Sequence, residues 1–456
     1  MSASWLTLTF KRGVTRGLLP VLATIGLVTE GMISTTWGVH VLGRTAWALP
    51  DDLWGTLVAA QRLLHLQLSG LYTPPTGLIA FPGAAVILIP VVALMDAAGI
   101  SLQQQTAQHP YPESWLLAGP FEIAISCLVL FAIDHLNERA SVPLLNRFFV
   151  MVASAVALWS VSVRWGHPED AVAMGLLLYG IGALPRARAG WLIGAAVAVQ
   201  PLVLLALPVI AVATWARAGP RRLPGFGVRI TIPSVVTLGA AAAANWHATI
   251  TAVTKQPNFP VIDHPTPWTS LAPHLSDGNV AAGPGRVLAI VFACGCAAAY
   301  GYRLRTRLRA RAGPGTEPDA EAAQPLTELL WWVAAALAMR CVFESVMVAY
   351  YVWPTLAVAL TAAAGRWSRL IPVAVVTTAV TFASQAPWRD PWGWWLLIMA
   401  GLALTLYCAR PPRLSLPAIA TPTVEAPGAG ARPGLLIPGG RARLLFIRRF
   451  WGGQLA

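Results

Sequence analysis

Leu49-Pro-Asp51-Asp52-Leu-Trp54 opens a half-apolar run that carries Arg62 and His65 and ends in Gly70-Leu71-Tyr72-Thr-Pro74-Pro75. On either side lie strongly apolar segments, residues 18–38 and 79–98, neither with a Lys or Arg. A bilayer core of ~30 Å takes ~20 apolar residues of helix, which each segment nearly or fully supplies. Residues 41–78 therefore read as a loop held at a membrane surface by two anchors. Adjacent carboxylates just after a membrane helix need a reason, because charge near membrane depth is costly.

Working outward, the whole chain has the same character. Of 456 residues, 56% are hydrophobic and 11% charged, with mean hydropathy +0.61. Soluble domains carry roughly a quarter charged residues. The apolar runs are continuous and do not alternate, so they predict an all-α polytopic protein of about ten to twelve hydrophobic segments and not a barrel. The net charge of +13 does not point to nucleic acid. The basic residues, all Arg except Lys11 and Lys255, sit in short loops beside apolar runs, where they orient helices. The cysteines at 127, 294, 296, 341 and 408 lie in or at the edges of apolar runs and predict neither a zinc site nor a disulfide framework.

Lys11, Arg12 and Arg16 put the start of a retained first helix in the cytoplasm. The Asp51/Asp52 loop is then extracytoplasmic. Within it, apolar residues at 53, 57, 60, 63, 64, 68 and 71 predict an amphipathic helix on the membrane, ended by the prolines. Further runs at 115–133, 148–163, 171–184 and 191–215 follow. The loops 185–190 and 216–229 are both basic, so both are expected in the cytoplasm. One full crossing between them cannot satisfy that. Either 191–215 is two half-helices meeting at Gln200-Pro201 and re-entering, or one loop breaks the rule. A second parity conflict lies upstream. His167-Pro-Glu169-Asp170 faces outward only if 79–98, with Pro82 and Pro90, does not cross fully.

The second half is simpler. Residues 230–244 lead outward to a polar loop, 245–285, with Lys255, Asp263, His264 and His274. Residues 287–302 return to Arg303, Arg305, Arg307, Arg309 and Arg311, the strongest cytoplasmic marker. Residues 326–339 go out to Arg340, Glu344 and Tyr350-Tyr351, and three more runs reach Arg410. Residues 410–456, rich in Pro, Gly and Ala with a basic end, read as a disordered cytoplasmic tail that touches anionic lipid. Trp331, Trp332, Trp394 and Trp395 read as interface anchors, Glu122 as a satisfied membrane polar group and Asp134 as an interface residue.

Four groups thus collect on one side: Asp51/Asp52, His167/Glu169/Asp170, the 245–285 loop, and Arg340/Glu344/Tyr350/Tyr351. The layout resembles the GT-C superfamily of membrane glycosyltransferases. It is more narrowly similar to the actinobacterial polyprenyl-phosphomannose-dependent mannosyltransferases, glycosyltransferase family 87. The resemblance spans about residues 10–410 and rests on short motifs: Asp51-Asp52, Leu71-Tyr72-Thr-Pro-Pro75, Gly166-His-Pro-Glu-Asp170, and Gly190-Trp-Leu-Ile-Gly194 leading to Gln200-Pro201. Related chains often have Lys where this one has Gln200. The resemblance implies a plasma-membrane enzyme whose catalytic domain covers residues 1–409. It would move a sugar, mannose first, from a polyprenyl-phosphate donor to a glycolipid or cell-wall glycan outside the cell.

Such a transfer needs a base at the acceptor hydroxyl and cations for the departing phosphate, but no strong acid. Asp51 or Asp52 is the expected base. Arg340 is the expected phosphate partner, because a guanidinium can hold phosphate oxygens in a fork. Lys255, Tyr350, Tyr351 and Gln200 are further donor-phosphate candidates. His167, Glu169, Asp170, Tyr72, Asp263 and His264 are candidates for sugar or acceptor hydroxyls. Each has a plainer role open to it. Asp52 could cap a helix, Arg340 and Glu344 could form an i,i+4 ion pair, and His167-Pro-Glu-Asp could simply start a helix. No cofactor is expected and no metal site is recognisable, although a divalent cation remains open. The alternatives are a transporter or flippase of lipid-linked glycans, which broken helices also fit, and a non-catalytic GT-C-like subunit.

Overall fold

A computed structural model describes residues 17–42, 45–74, 78, 80–102, 112–275, 278–311, 326–386, 390 and 392–411, apart from the side chains of 39, 310 and 311. Lys11, Arg12, Arg16, Pro75, residues 103–111 and the tail beyond Pro411 lie outside these residues. The described part is helical, and eight of its helices are long and apolar enough to cross a membrane. Three shorter apolar helices accompany them.

The path is set by which ends meet. Helix α1 (Leu18–Val41) precedes the loop helix α2 (Asp51–Leu64), the short helices α3 (Pro82–Val86) and α4 (Ile89–Ala97), and then α5 (Pro112–Ser126) with α6 (Leu128–Arg139). Gly17 lies beside Phe131, Gly31 against Ile123, and Trp47 edge-on to Trp115 at 5.6 Å. These pairs run in opposite chain directions, so α5–α6 is antiparallel to α1. Everything between Trp47 and Trp115 therefore begins and ends at one end of the bundle. This corrects the reading of 79–98 as a second membrane anchor. The segment breaks at Ile87-Leu88 into α3 and α4, with Pro82 and Pro90 in their first turns. Leu88, Val92 and Met95 then pack with Leu53, Leu57 and Trp115 in a small core separate from that of the main bundle. The upstream parity conflict disappears with it. The loop helix is also shorter than its apolar spacing implied, ending at Leu64 and followed by a single 3-10 turn at Leu68–Gly70.

Helix α7 (Leu144–Trp159) returns along α1 and finishes in a π-helical turn, Ser160–Trp165. Helix α8 (Pro168–Ala183) runs back, with Gly175 against Val129 and Gly182 against Leu136. Then come α9 (Ala187–Val199), a 3-10 stretch Pro201–Ala206, α10 (Leu207–Ala218) and α11 (Leu223–Ala244). On α9, Gly190 meets Phe226 and Arg229, and Gly194 meets Arg229 and Ile230, so α9 and α11 run parallel. Parallel neighbours need a return between them, and α10 is that return. The break falls at Gln200, where the backbone is extended (φ −144°, ψ 114°). Proline supplies the cause, because it lacks an N–H and pushes the residue before it out of the helical region. Residues 187–218 are thus a hairpin with both basic flanks at one end.

Helix α12 (Trp246–Thr254) and strand β1 (His264–Pro265) lie in the long loop. Helix α13 (Gly285–Arg311) runs away from it, and α14 (Leu326–Phe343) comes back to strand β2 (Val346–Met347). The strands pair antiparallel, His264 opposite Met347 and Pro265 opposite Val346. Helices α15 (Trp353–Ala363), α16 (Trp367–Ser384) and α17 (Gly393–Ala409) complete the unit, which ends at Pro411. Every residue of α15 is buried, whereas Val228, Val235 and Val236 of α11 and Val287, Ile290 and Val291 of α13 are exposed. An apolar exterior of this extent is a surface for lipid. Two tryptophan expectations need correcting. Trp394 and Trp332 are buried (1% and 8% exposed), not interface anchors. Asp134 is buried too, gripped at both oxygens by Arg147 (2.8 and 2.7 Å).

Candidate functional site

At the end of the bundle holding α2–α4 and the described part of the 245–284 loop, side chains from remote segments converge. The junction after α7 starts it. Gly166 has φ +66°, and a Cβ there would stand 2.6 Å from Pro50 Cγ. Only glycine tolerates both conditions, so Gly166 lets the turn before α8 close on the turn before α2. His167 is thereby set beside Asp52. Its Nε2 lies 3.2 Å from Asp52 Oδ2, and its Nδ1 lies 2.6 Å from Glu169 Oε1.

Pro168 occupies the first turn of α8, with Glu169 and Asp170 behind it. The segment is therefore a regular helix start, with Pro where its missing N–H costs nothing and acids at the positive end of the dipole. It is also part of the cluster. Glu169 and Asp170 are 5% and 0% exposed, and Gln200 Nε2 donates to Asp170 Oδ1 at 2.5 Å. The extended residue that breaks the α9–α10 hairpin thus serves as a ligand to α8.

The cluster continues through aromatic rings. His167 stacks on Tyr350 (4.0 Å between centroids, 24° between planes), and Tyr350 meets Tyr351 edge-on at 5.0 Å. The Arg340 guanidinium lies over the Tyr351 ring at 3.7 Å, a cation–π contact. Arg340 Nε is 3.6 Å from Glu344 Oε2, and Glu344 Oε1 is 3.3 Å from Nε of Arg286. Arg340 also feels the charge of Asp170. Its Nη1 is buried without a hydrogen-bond partner, as is Asp170 Oδ2. A buried donor left unpaired is costly, so this nitrogen keeps an unused capacity to donate.

The electrostatics follow from that layout. Burial alone would push the Asp52 carboxyl up, but His167, close beside it, outweighs this and holds the group below its ordinary value. Burial likewise pulls His167 down, while Glu169 and Asp52 lift it well above the ordinary imidazole value. Between the two ordinary values Asp52 is a carboxylate and His167 an imidazolium. Burial raises Tyr72.

The other expected residues divide. Asp51 is exposed, so of the acidic pair only Asp52 joins the cluster. Asp263 acts on Tyr351, and His264 stacks on Trp394 at 3.8 Å, fixing the long loop beside the site. Thr266 reinforces this, donating to the Glu344 carbonyl oxygen at 2.7 Å. Tyr72 instead packs with the loop core and donates to the Ala80 carbonyl oxygen at 3.1 Å. Lys255 is exposed at the end of α12, with no contact to the cluster among the described residues. Arg286 is a member that sequence reasoning passed over. It also donates to Gln256 Oε1 at 3.2 Å, which joins α13 to the loop. Its signal was there: an Arg opening an apolar run at the end otherwise poor in basic residues.

Among the described residues, no group of three or more His, Cys, Asp and Glu side chains is arranged to hold a metal ion. No protein-family model matches the chain, and no curated protein sequence matches it significantly.

Proposed function

We propose that this membrane protein is a glycosyltransferase that moves a sugar from a polyprenyl-phosphate donor to a hydroxyl of a glycolipid or cell-wall glycan. One observation carries the reading. An ionised, half-open carboxylate, Asp52 (45% exposed), shares a cluster with a buried guanidinium, Arg340, that keeps an unused N–H. Those are the two groups the chemistry asks for.

Asp52 receives the acceptor proton. A carboxylate held low is a weak base, so the proton moves late, once the hydroxyl oxygen has bonded to the anomeric carbon and become acidic. His167 positions Asp52 and keeps it charged. Arg340, with Tyr351 beneath it, takes the charge that develops on the phosphate as the sugar leaves. Base and phosphate on opposite faces of the sugar give a single displacement with inversion. Arginine-rich loops at the far end support the reading of the cluster as extracytoplasmic. The alternative, a transporter or flippase, is favoured by the broken α9–α10 hairpin. Against it, the charged and aromatic side chains of the candidate site gather at one end of the helices among the described residues. Mannose as the sugar rests on the family resemblance alone.

The test is transfer of radiolabelled mannose from synthetic polyprenyl-phosphomannose by membranes carrying the protein. Asp52→Asn is expected to lower transfer by ~10²–10⁴-fold, while Asp51→Asn stays near wild type. Full activity in Asp52→Asn would sink the site. Failure with mannose, arabinose and glucose donors alike would sink the transferase reading.

A further inference from the structure

The opposite end of the bundle holds a cavity, of about 290 Å³, between the α9–α10 hairpin and α11. It is lined by Arg186, Arg221, Arg222 and Arg229 together with Thr214 and Phe226, and by no acidic side chain. One helix start opens onto it: Arg186 precedes Ala187, the first residue of α9, and both are in the wall. Arg221 and Arg222 end the 3-10 turn Pro220–Arg222 that runs straight into α11, whose Gly225 is also in the wall. The first turn of a helix presents amide N–H groups that have no partner within the helix, together with the positive end of the dipole. Arg229 is tied down by donating to the Gly225 carbonyl oxygen at 2.9 Å, whereas Arg186, Arg221 and Arg222 are exposed in the wall.

Like charges crowded on a cavity repel one another, weakly while water and salt screen them, and an anion seated among them turns that repulsion into attraction. Guanidinium forks and helix-start amides together form a receptor for tetrahedral oxyanions. We propose that this cavity binds a phosphate group, carried by an anionic membrane-lipid headgroup or free in solution. Seated there, the anion bridges the base of the α9–α10 hairpin to α11. It would steady the hairpin whose tip carries Gln200 into the candidate site.

The test uses the full chain, purified in neutral detergent and stripped of lipid, with thermal unfolding as the readout. It is titrated with phosphatidylglycerol in mixed micelles, with phosphatidylcholine, and with sodium phosphate against chloride of equal ionic strength. Ligand that binds only the folded state raises Tm with concentration. Phosphatidylglycerol is expected to raise Tm saturably where phosphatidylcholine does not. Arg221→Gln/Arg222→Gln is expected to need at least ~10-fold more of it, as loss of charge-assisted hydrogen bonds implies. Arg186→Gln, on the other wall, should show the loss independently. An equal rise with sodium phosphate alone assigns the site to the free ion, and a rise with the lipid only assigns it to the headgroup. The proposal is overturned if neither phosphatidylglycerol nor phosphate raises Tm above its control. It is also overturned if the double variant responds as wild type does. A third defeat would come from Arg305→Gln/Arg309→Gln, outside the cavity on α13, losing the response equally, because the effect would then belong to the basic end as a whole.

Discussion

The two ends of the helix bundle hold their arginines differently. At one end Arg340 and Arg286 share Glu344, and Arg340 also feels Asp170. At the other, Arg186, Arg188, Arg221, Arg222 and Arg366 are exposed. Exposed arginines can repeat without acids, because water and salt screen them. A buried guanidinium needs carboxylates near it, or burial costs more than the interaction returns. A charge crowd thus marks which way a helix points and leaves room for an outside anion, whereas a buried guanidinium is held by the carboxylates of the chain itself, as Arg147 is by Asp134.

The contrast is sharpest in the topology it requires. In a background lacking the five native cysteines, single cysteines at Arg188 and Arg221 are expected to be labelled by a membrane-impermeant thiol reagent from the same side. Single cysteines at Trp246 and Leu271 should be labelled only from the other. Opposite labelling of Arg188 and Arg221 would undo the hairpin and the division into two ends.

Next in size is the buried cation. Arg340→Gln is expected to lower kcat/KM by about 10²–10³-fold. Leaving Glu344 and Asp170 unmatched should also cost ~3–5 kcal/mol of stability. Arg340→Lys separates the two effects, since it restores the charge and most of the stability but not the fork. A variant as active as wild type would reduce Arg340 to a structural ion pair. Gln substitution at the exposed Arg366 should change neither quantity.

The Asp52–His167 pair predicts a pH profile. His167 is lifted in the folded state, so its contribution is complete below the ordinary 6.5 and is lost as pH rises through the raised value. Asp52 is depressed, so its contribution is complete above the ordinary 3.8 and is lost as pH falls through the lowered value. Activity should therefore hold through the interval between them and fall only outside it. In His167→Gln the acid limb should move up toward the ordinary carboxylate value and the alkaline limb should vanish. Unchanged limbs would remove His167 from the site.

The smallest effect concerns the join between the outer layer and the hairpin. A Cβ at Gly83 would stand 2.2 Å from the Ala198 carbonyl oxygen. Gly83→Ala should cost about 1–3 kcal/mol as α3 is pushed from α9, read by thermal unfolding. At Gly295 of α13 nothing lies within 4 Å of the added atom, so the same change there should not destabilise the protein.

Much of this was legible in the chain before folding. Continuous apolar runs determine helices in a membrane, because lipid offers backbone groups no other partner. Arginine counts in short loops separated the two ends and exposed a parity conflict at 79–98 and at 191–215, but left open how each was resolved. Pro201 marked the break through rules of local backbone geometry. Tertiary structure alone decided which of two neighbouring acids turns inward, because Asp51 and Asp52 have the same local signal and differ only in what α8 brings against them. It also turned Trp394 and Trp332 from expected membrane anchors into core, and recruited Arg286 through Glu344. Those outcomes depend on contacts between residues up to hundreds of positions apart, such as Asp52 with His167 and His264 with Trp394. Local sequence carries no term for such pairs.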